Sequence, residues 1–99
     1  MAEKPDLSII ILNYNTRDLL RDCLRSVLKS KKNSFAYEII VVDNASVDGS
    51  VEMIKREFPQ VKIIQSKENL GFAGGNNLAL KKAQGKYILF LNSDTQVKP

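Results

Sequence analysis

Four apolar segments of this chain run directly into polar residues that could bind a ligand. In the last case, Lys86–Leu91 leads into Asn92, Ser93 and Asp94. A carboxylate that follows a buried strand lies at the carboxyl edge of the sheet, where α/β proteins bind ligands. Because Mg²⁺ is commonly held by one or two carboxylates together with phosphates and water, Asp94 alone could hold Mg²⁺ or Mn²⁺ against a diphosphate.

The three earlier segments end in amides and a second carboxylate. These ends carry Asn13, Tyr14 and Asn15, then Asp43, Asn44 and Ser46, then Glu68 and Asn69. An ionised Asp43 could accept a hydrogen bond from the ring N–H of a pyrimidine, and Tyr14 could lie against the base or ribose. Taken singly, Asp43 is equally compatible with a turn or helix cap, and Tyr14 with a half-buried loop position.

A glycine-rich segment, Leu70–Asn77, leads into a helix. Gly71 and Gly74 have no Cβ, which permits unusual φ angles and close approach of a ligand to the backbone. We expect Asn76 and Asn77 at the helix start, where unpaired N–H groups favour anions such as phosphate. A tight loop that simply requires glycine is the alternative interpretation.

Apolar runs alternate with amphipathic segments in the order β-α-β-α-β-α-β. The predicted strands are Leu7–Leu12, Tyr37–Val42, Val61–Ile64 and Lys86–Leu91. The first and last are apolar almost throughout, which indicates buried strands, and the last is expected to be central. Strands that alternate with helices favour a mainly parallel sheet, so the sequence predicts a Rossmann-like α/β fold with three α/β/α layers.

Each of the three predicted helices has an apolar face. Thr16 is a suitable N-cap for the first, the second begins near Asp48–Ser50 and ends before Pro59, and Gly85 caps the third. The residues expected to point inward are Leu19, Leu20, Cys23, Leu24, Val27 and Leu28, then Val51, Ile54 and Phe58, then Leu78, Leu80 and Ala83.

The net charge of +4 is mild and no dense basic cluster occurs, which argues against nucleic acid as a partner. We interpret the four-residue repeat of Arg17, Arg21, Arg25 and Lys29 as a solvated face rather than a membrane contact. Cys23 is the single cysteine, which excludes an intramolecular disulfide and fits a cytoplasmic setting. No signal core or membrane-spanning segment is apparent.

Four ordered motifs resemble those of the family-2 glycosyltransferases, most closely the rhamnosyltransferase-like bacterial branch. They are the first strand with Asn13–Asn15, then Val41–Ser50, Glu68–Asn77 and Leu91–Asp94. The resemblance covers nearly the whole chain from Leu7 onward. It implies a GT-A fold with a Rossmann-like nucleotide-binding half and a role in cell-surface polysaccharide synthesis.

The implied reaction is inverting transfer of a sugar from a dTDP- or UDP-linked donor to an acceptor hydroxyl. The acceptor would be a saccharide or a lipid-linked molecule, and the full-length enzyme could associate peripherally with the inner face of the cell membrane. We expect residues 1–6 to be a disordered leader and residues 7–99 to be the N-terminal, nucleotide-sugar-binding part of a longer domain. On this view the acceptor site is missing, and the chain alone is expected to catalyse little or no transfer.

The resemblance also implies roles for individual residues. Tyr14 and Asp43 would contact the base, Asn69 would lie near the ribose, and Asp94 would be the metal-binding carboxylate of the family's Asp-X-Asp motif. This chain departs from that motif, because Asn92 replaces its first Asp. The remaining residues expected to line the nucleotide site are Asn13, Asn15, Gly71, Gly74, Asn76, Asn92 and Ser93. The family's general base lies downstream, so no catalytic residue is assigned.

Other nucleotide-binding classes fit less well. Nicotinamide dehydrogenases and nucleotidyltransferases require a glycine-rich loop after the first strand, and Asn13–Thr16 stands there instead. A P-loop is absent as well. A non-enzymatic phospho-receiver that uses Asp43 as phosphoacceptor is the main alternative, although it would need an acidic pair after the first strand. The remaining alternative is an α/β interaction module that binds no ligand.

Overall fold

Seven elements alternate along the chain in the predicted order. The structure is a computed structural model that describes residues 4–29 and 36–93. The elements are β1 (Leu7–Asn13), α1 (Arg17–Lys29), β2 (Tyr37–Asn44), α2 (Ser50–Glu57), β3 (Lys62–Ser66), α3 (Gly71–Lys82) and β4 (Tyr87–Asn92). The α/β prediction is confirmed. Among the described residues, no helix is long and apolar enough to cross a membrane.

The four strands form one parallel sheet in the order β3-β2-β1-β4. β1 pairs with β2 on one side and β4 on the other, so that Asn13 lies opposite Asp43 and Leu12 lies opposite Asn92. Because the strands are parallel, the polar residues that follow them meet at one edge of the sheet.

Helices cover both faces of the sheet. On one face, Ile9 and Ile11 of β1 pack in a core with the apolar residues of α1 and α2. On the other, Ile10 and Ile40 pack beneath Ala79 of α3. The predicted burial of β1 on both faces and the three-layer arrangement are therefore confirmed.

The prediction that the last strand is buried and central is wrong for the described part of the chain. β4 lies at the edge of the sheet and pairs with β1 alone. Tyr87 is 71% exposed and Phe90 is 44% exposed. The physical reason for Phe90 is coverage, because α3 packs over β1, β2 and β3 and leaves β4 open on that face. Tyr87 lies on the opposite face, at the start of a strand that pairs with one neighbour only.

Two leucines predicted to point inward are exposed. Leu19 of α1 and Leu80 of α3 are 49% and 45% exposed, whereas their neighbours Leu20 and Ala79 are fully buried. The inward prediction for Val51, Ile54 and Phe58 of α2 is confirmed.

The basic stripe of α1 is more than a solvated face. Arg21 donates to both carboxylate oxygens of Glu57 on α2 at 3.0 Å, and Arg25 lies 3.6 Å from the same carboxylate. Hydrogen bonds from Arg21 hold the pKa of Glu57 below its usual value. The stripe therefore joins the two helices that share one face of the sheet.

α3 begins and ends earlier than predicted. It starts at Gly71, so Asn76 lies in its second turn and has no unpaired helix-start N–H, contrary to the expectation. Gly85 does not cap it, because the helix ends at Lys82. Gly85 instead donates its N–H to Ser8 Oγ at 2.9 Å, and a Cβ there would lie 2.5 Å from the backbone nitrogen of Ser8.

Candidate functional site

The carboxyl edge of the sheet brings together the amide of Asn13, the carboxylate of Asp43 and the hydroxyl of Ser46. Asn13 Nδ2 donates to Asp43 Oδ1 at 2.9 Å and to Ser46 Oγ at 3.3 Å. The other carboxylate oxygen, Oδ2, accepts the backbone N–H of Ser46 at 2.9 Å. Each Asp43 oxygen thus accepts one hydrogen bond from the chain and keeps lone-pair capacity for another.

These groups are held almost entirely inside the protein. Asn13 and Asp43 are 1% and 2% exposed, while Ser46 is partly exposed. Asp43 Oδ2 closes a turn by its bond to Ser46, as the turn interpretation predicts, and Oδ1 also bonds to Asn13 of the neighbouring strand. Whether that carboxylate also contacts a base stays a prediction.

The loops after β1 and β2 are bonded to each other. Asn15 donates its backbone N–H to Ser46 Oγ at 2.8 Å, and its side-chain Oδ1 accepts the N–H of Val47 at 2.8 Å. Asn15 and Ala45 both have left-handed backbones, with φ angles of 52° and 64°. Such angles are uncommon outside glycine and persist where surrounding contacts enforce them, often at functional sites.

Asp48 joins the starts of the two helices on one face. Its Oδ2 accepts the first N–H of α1, from Arg17, at 2.9 Å, and its Oδ1 accepts the N–H of Ser50 at 3.1 Å. Burial raises the pKa of Asp48, but the hydrogen bonds from the Ser50 hydroxyl and from the N–H groups of Arg17 and Ser50 outweigh burial and lower it. Sequence reasoning placed Asp48 at the start of α2 and missed its contact with α1.

Thr16 precedes α1 as predicted, but its hydroxyl points to the strand ends. It donates to Asn13 Oδ1 at 2.6 Å and lies 2.7 Å from Ser93 Oγ. Ser93, which follows β4, is thereby connected to the residues that follow β1. A cavity of about 300 Å³ lies beside this contact, lined by Asn15, Thr16, Arg17, Asp18, Leu19 and Asp48.

Glycine is required by the fold at the entrance to α3. Gly71 has a φ of +73°, and its N–H is accepted by Asn69 Oδ1 at 2.8 Å. A Cβ on Gly74 would lie 2.9 Å from Leu70 Cβ. Asn44 fastens this entrance to β2 by donating to the Gly71 carbonyl at 3.3 Å. These contacts agree with the tight-loop interpretation and leave ligand contact untested.

The other predicted site residues lie at the same edge or beyond the described chain. Tyr14 is 50% exposed and Asn92 is exposed. Asp94 lies outside the described residues. Within residues 4–29 and 36–93, no group of three His, Cys, Asp or Glu side chains could hold a metal ion.

Known proteins are similar to this chain in sequence and in fold. The sequence model of glycosyl transferase family 2 matches residues 8–99. The poly(ribitol-phosphate) beta-glucosyltransferase of Bacillus spizizenii is 38% identical over 92% of the chain. The poly(ribitol-phosphate) beta-N-acetylglucosaminyltransferase TarS of Staphylococcus aureus is 31% identical over 91% of the chain. The chain spans only 15% and 16% of the length of these two relatives.

Solved glycosyltransferase structures superpose on most of the chain. The mannosyltransferase PcManGT from Pyrobaculum calidifontis, in complex with GDP-Man and Mn²⁺, has a TM-score of 0.82 and 26% identity over 93% of this chain and 28% of its own. TarS 1–349 in complex with UDP-GlcNAc has a TM-score of 0.81 and 29% identity over 90% of this chain and 26% of its own. With the family match over nearly its whole length, the chain belongs to glycosyl transferase family 2 and has the GT-A fold.

Proposed function

We propose that this chain forms the nucleotide-binding part of an inverting glycosyltransferase. The intact protein would transfer a sugar from a dTDP- or UDP-linked donor to an acceptor hydroxyl in cell-surface polysaccharide synthesis. The observation that carries the proposal is the bonded group of Asn13, Asp43 and Ser46 at the edge where parallel sheets bind nucleotides. Relatives named for poly(ribitol-phosphate) glycosylation support the class of product.

In this proposal the base lies over the ends of β1 and β2. A remaining lone pair of Asp43 accepts the ring N–H of the base, and half-exposed Tyr14 packs against the base or ribose. Asn69 lies beside the ribose. The rest of the proposed nucleotide site consists of Asn13, Asn15, Gly71, Gly74, Asn76, Asn92 and Ser93.

We further propose that Asp94 holds Mg²⁺ or Mn²⁺ against the donor diphosphate. Mn²⁺ in the PcManGT complex and the family's Asp-X-Asp motif support this assignment. A divalent cation there would neutralise the charge that develops on the departing diphosphate. The acceptor of the intact protein would be a saccharide or a lipid-linked molecule. The intact protein would act in the cytoplasm, at the inner face of the membrane.

A phospho-receiver function is less well supported by the contacts of Asp43. Asp43 is 2% exposed, and both of its carboxylate oxygens accept hydrogen bonds from the chain. A phospho-receiver also needs an acidic pair after the first strand, and the amides Asn13 and Asn15 stand there instead. Acetyl-phosphate labelling of Asp43 would revive that alternative.

Amide NMR titration of the 99-residue chain with UDP, dTDP and GDP, with and without Mn²⁺, tests the proposal. We expect nucleotide-dependent shifts at Tyr14, Asp43 and Ser46. Changing Asp94→Asn should weaken binding about tenfold or more in Mn²⁺ and leave metal-free binding unchanged, since a charge-assisted contact is lost. The matched control, Asp22→Asn on the exposed face of α1, should bind as the wild type does. The absence of shifts at these three residues with every nucleotide would contradict the proposal.

A further inference from the structure

Ser46 Oγ accepts two hydrogen bonds, from Asn15 N at 2.8 Å and from Asn13 Nδ2 at 3.3 Å. A serine hydroxyl has two acceptor positions and one proton to donate. Both acceptor positions are therefore used by the chain. Among residues 4–29 and 36–93, none of the hydrogen bonds uses the proton of Ser46, which can be donated to a ligand because the side chain is partly exposed.

The hydroxyl of Ser46 stands directly beside the carboxylate of Asp43. Asn13 Nδ2 lies within hydrogen-bond distance of both groups, and the N–H of Ser46 bonds to Asp43 Oδ2. The carboxylate has acceptor capacity and no proton, whereas the hydroxyl has a proton and no remaining acceptor position. The edge of the sheet thus presents a fixed acceptor next to a fixed donor.

This pair matches one class of nucleobase edge. Uracil, thymine and guanine each present a ring N–H next to a carbonyl, which is a donor beside an acceptor. Cytosine and adenine present an unprotonated ring nitrogen next to an amino group, which reverses the pattern and would leave both protein groups mispaired. We propose that Ser46 determines base specificity by donating to the carbonyl beside the ring N–H that Asp43 accepts.

The proposal rests on the proposed function and deepens it by naming the class of nucleotide. The loop contacts support the assignment, because the hydrogen bonds of Ser46 to Asn15 and Asp43 hold Ser46 in place before any ligand arrives. A donor held in place loses less freedom on binding than a mobile one.

Isothermal titration calorimetry on the 99-residue chain tests the inference with UDP, CDP, 2-thio-UDP and 4-thio-UDP. Sulfur is a weak acceptor, so we expect wild type to bind UDP about two- to tenfold tighter than one of the thio-analogues, the range of one neutral hydrogen bond. In Ser46→Ala this difference should disappear, and the preference for UDP over CDP should shrink. Ser46→Thr keeps a hydroxyl and should restore both preferences.

The ratios of the dissociation constants for the four nucleotides distinguish a role of Ser46 in base specificity from a role in stabilising the loop. Ser46→Ala also removes the acceptor for Asn15, so a loosened loop would weaken all four ligands by the same factor. That uniform loss would overturn the role of Ser46 in specificity and leave the proposed function standing. The same conclusion would follow if wild type bound CDP as tightly as UDP. If no nucleotide binds, the proposed function fails and this inference fails with it. Ser66→Ala, at the end of β3, is the control and should leave every ratio unchanged.

Discussion

At the scale of single residues, the turn after β2 depends on a few hydrogen bonds. Alanine in the left-handed region costs on the order of 1 kcal/mol, and Ala45 adopts it with a φ of 64°. The bond from Ser46 N to Asp43 Oδ2 closes the turn around Ala45 and offsets that cost. The carboxylate of Asp43 is thus part of the structure of the edge it is proposed to serve.

Changing Asp43→Asn should lower the free energy of unfolding by about 1–3 kcal/mol, because an amide NH₂ replaces an acceptor that faces either Asn13 Nδ2 or Ser46 N. Urea denaturation measures the change. Asp22→Asn, an exposed substitution, should stay within about 0.5 kcal/mol of wild type. Equal stability of Asp43→Asn and wild type would mean that these two bonds contribute nothing.

Sequence reasoning could place the polar residues at one edge because parallel strands end on the same side. It could not foresee that Ser46 bonds to Asn15, or that Asp48 bonds to the first N–H of α1. Both contacts depend on the path of the turn, and that path passes through a left-handed alanine, a conformation that alanine does not prefer. Asp94, outside the described residues, keeps its metal role only as a prediction.

At the scale of elements, the spacing of apolar residues predicted that each helix exists. It did not predict where α3 begins and ends, or that Leu19 and Leu80 are exposed. Glycine is a poor helix former, so Gly71–Gly75 were assigned to an entrance loop rather than to α3. The structure includes them in α3, and Gly75 packs closely on the sheet, where an added Cβ would lie 2.3 Å from Leu12 Cδ1, the movable end of that side chain. That packing buries small Ala79 and leaves Leu80 exposed.

Gly85→Ala should destabilise the protein by about 2–3 kcal/mol, because its Cβ would meet the backbone of Ser8 at 2.5 Å and force β1 and the segment before β4 apart. Gly75→Ala is the matched comparison. Its Cβ meets the movable end of Leu12, and alanine favours the helix by about 1 kcal/mol, so its net effect should be smaller. Thermal unfolding of both variants checks the order, and a larger loss for Gly75→Ala would contradict it.

At the scale of the whole molecule, the buried carboxylate of Glu38 joins several elements at the amino ends of the strands, opposite the candidate site. Glu38 Oε2 accepts from Ser8 Oγ at 2.5 Å and from the Gln84 N–H at 2.8 Å, while Oε1 accepts from Lys62 Nζ at 2.6 Å. These partners belong to β1, to the connection between α3 and β4, and to β3. Sequence reasoning predicted parallel strands but passed over Glu38, because a lone glutamate in an apolar run carries no pattern.

The network of Glu38 should make the stability of the protein depend on pH. Burial raises the pKa of Glu38, but the hydrogen bonds from Gln84, Lys62 and Ser8 outweigh burial and lower it. A folded-state pKa below the unfolded value means that the stabilisation is complete above about pH 4.3, the usual glutamate value, and is lost as the pH falls through the folded pKa.

Glu38→Gln should therefore be less stable than wild type by about 1–3 kcal/mol at pH 7, and this difference should shrink as the pH falls from about 4.3 to the folded pKa. Thermal unfolding from pH 7 to pH 3 measures the difference at each pH. Glu52→Gln, on the exposed face of α2, should follow the wild-type curve. A difference between Glu38→Gln and wild type that stays constant down to pH 3 would show that the charge of Glu38 does not stabilise this end of the sheet, and that the loss comes from a hydrogen bond that the amide NH₂ cannot accept.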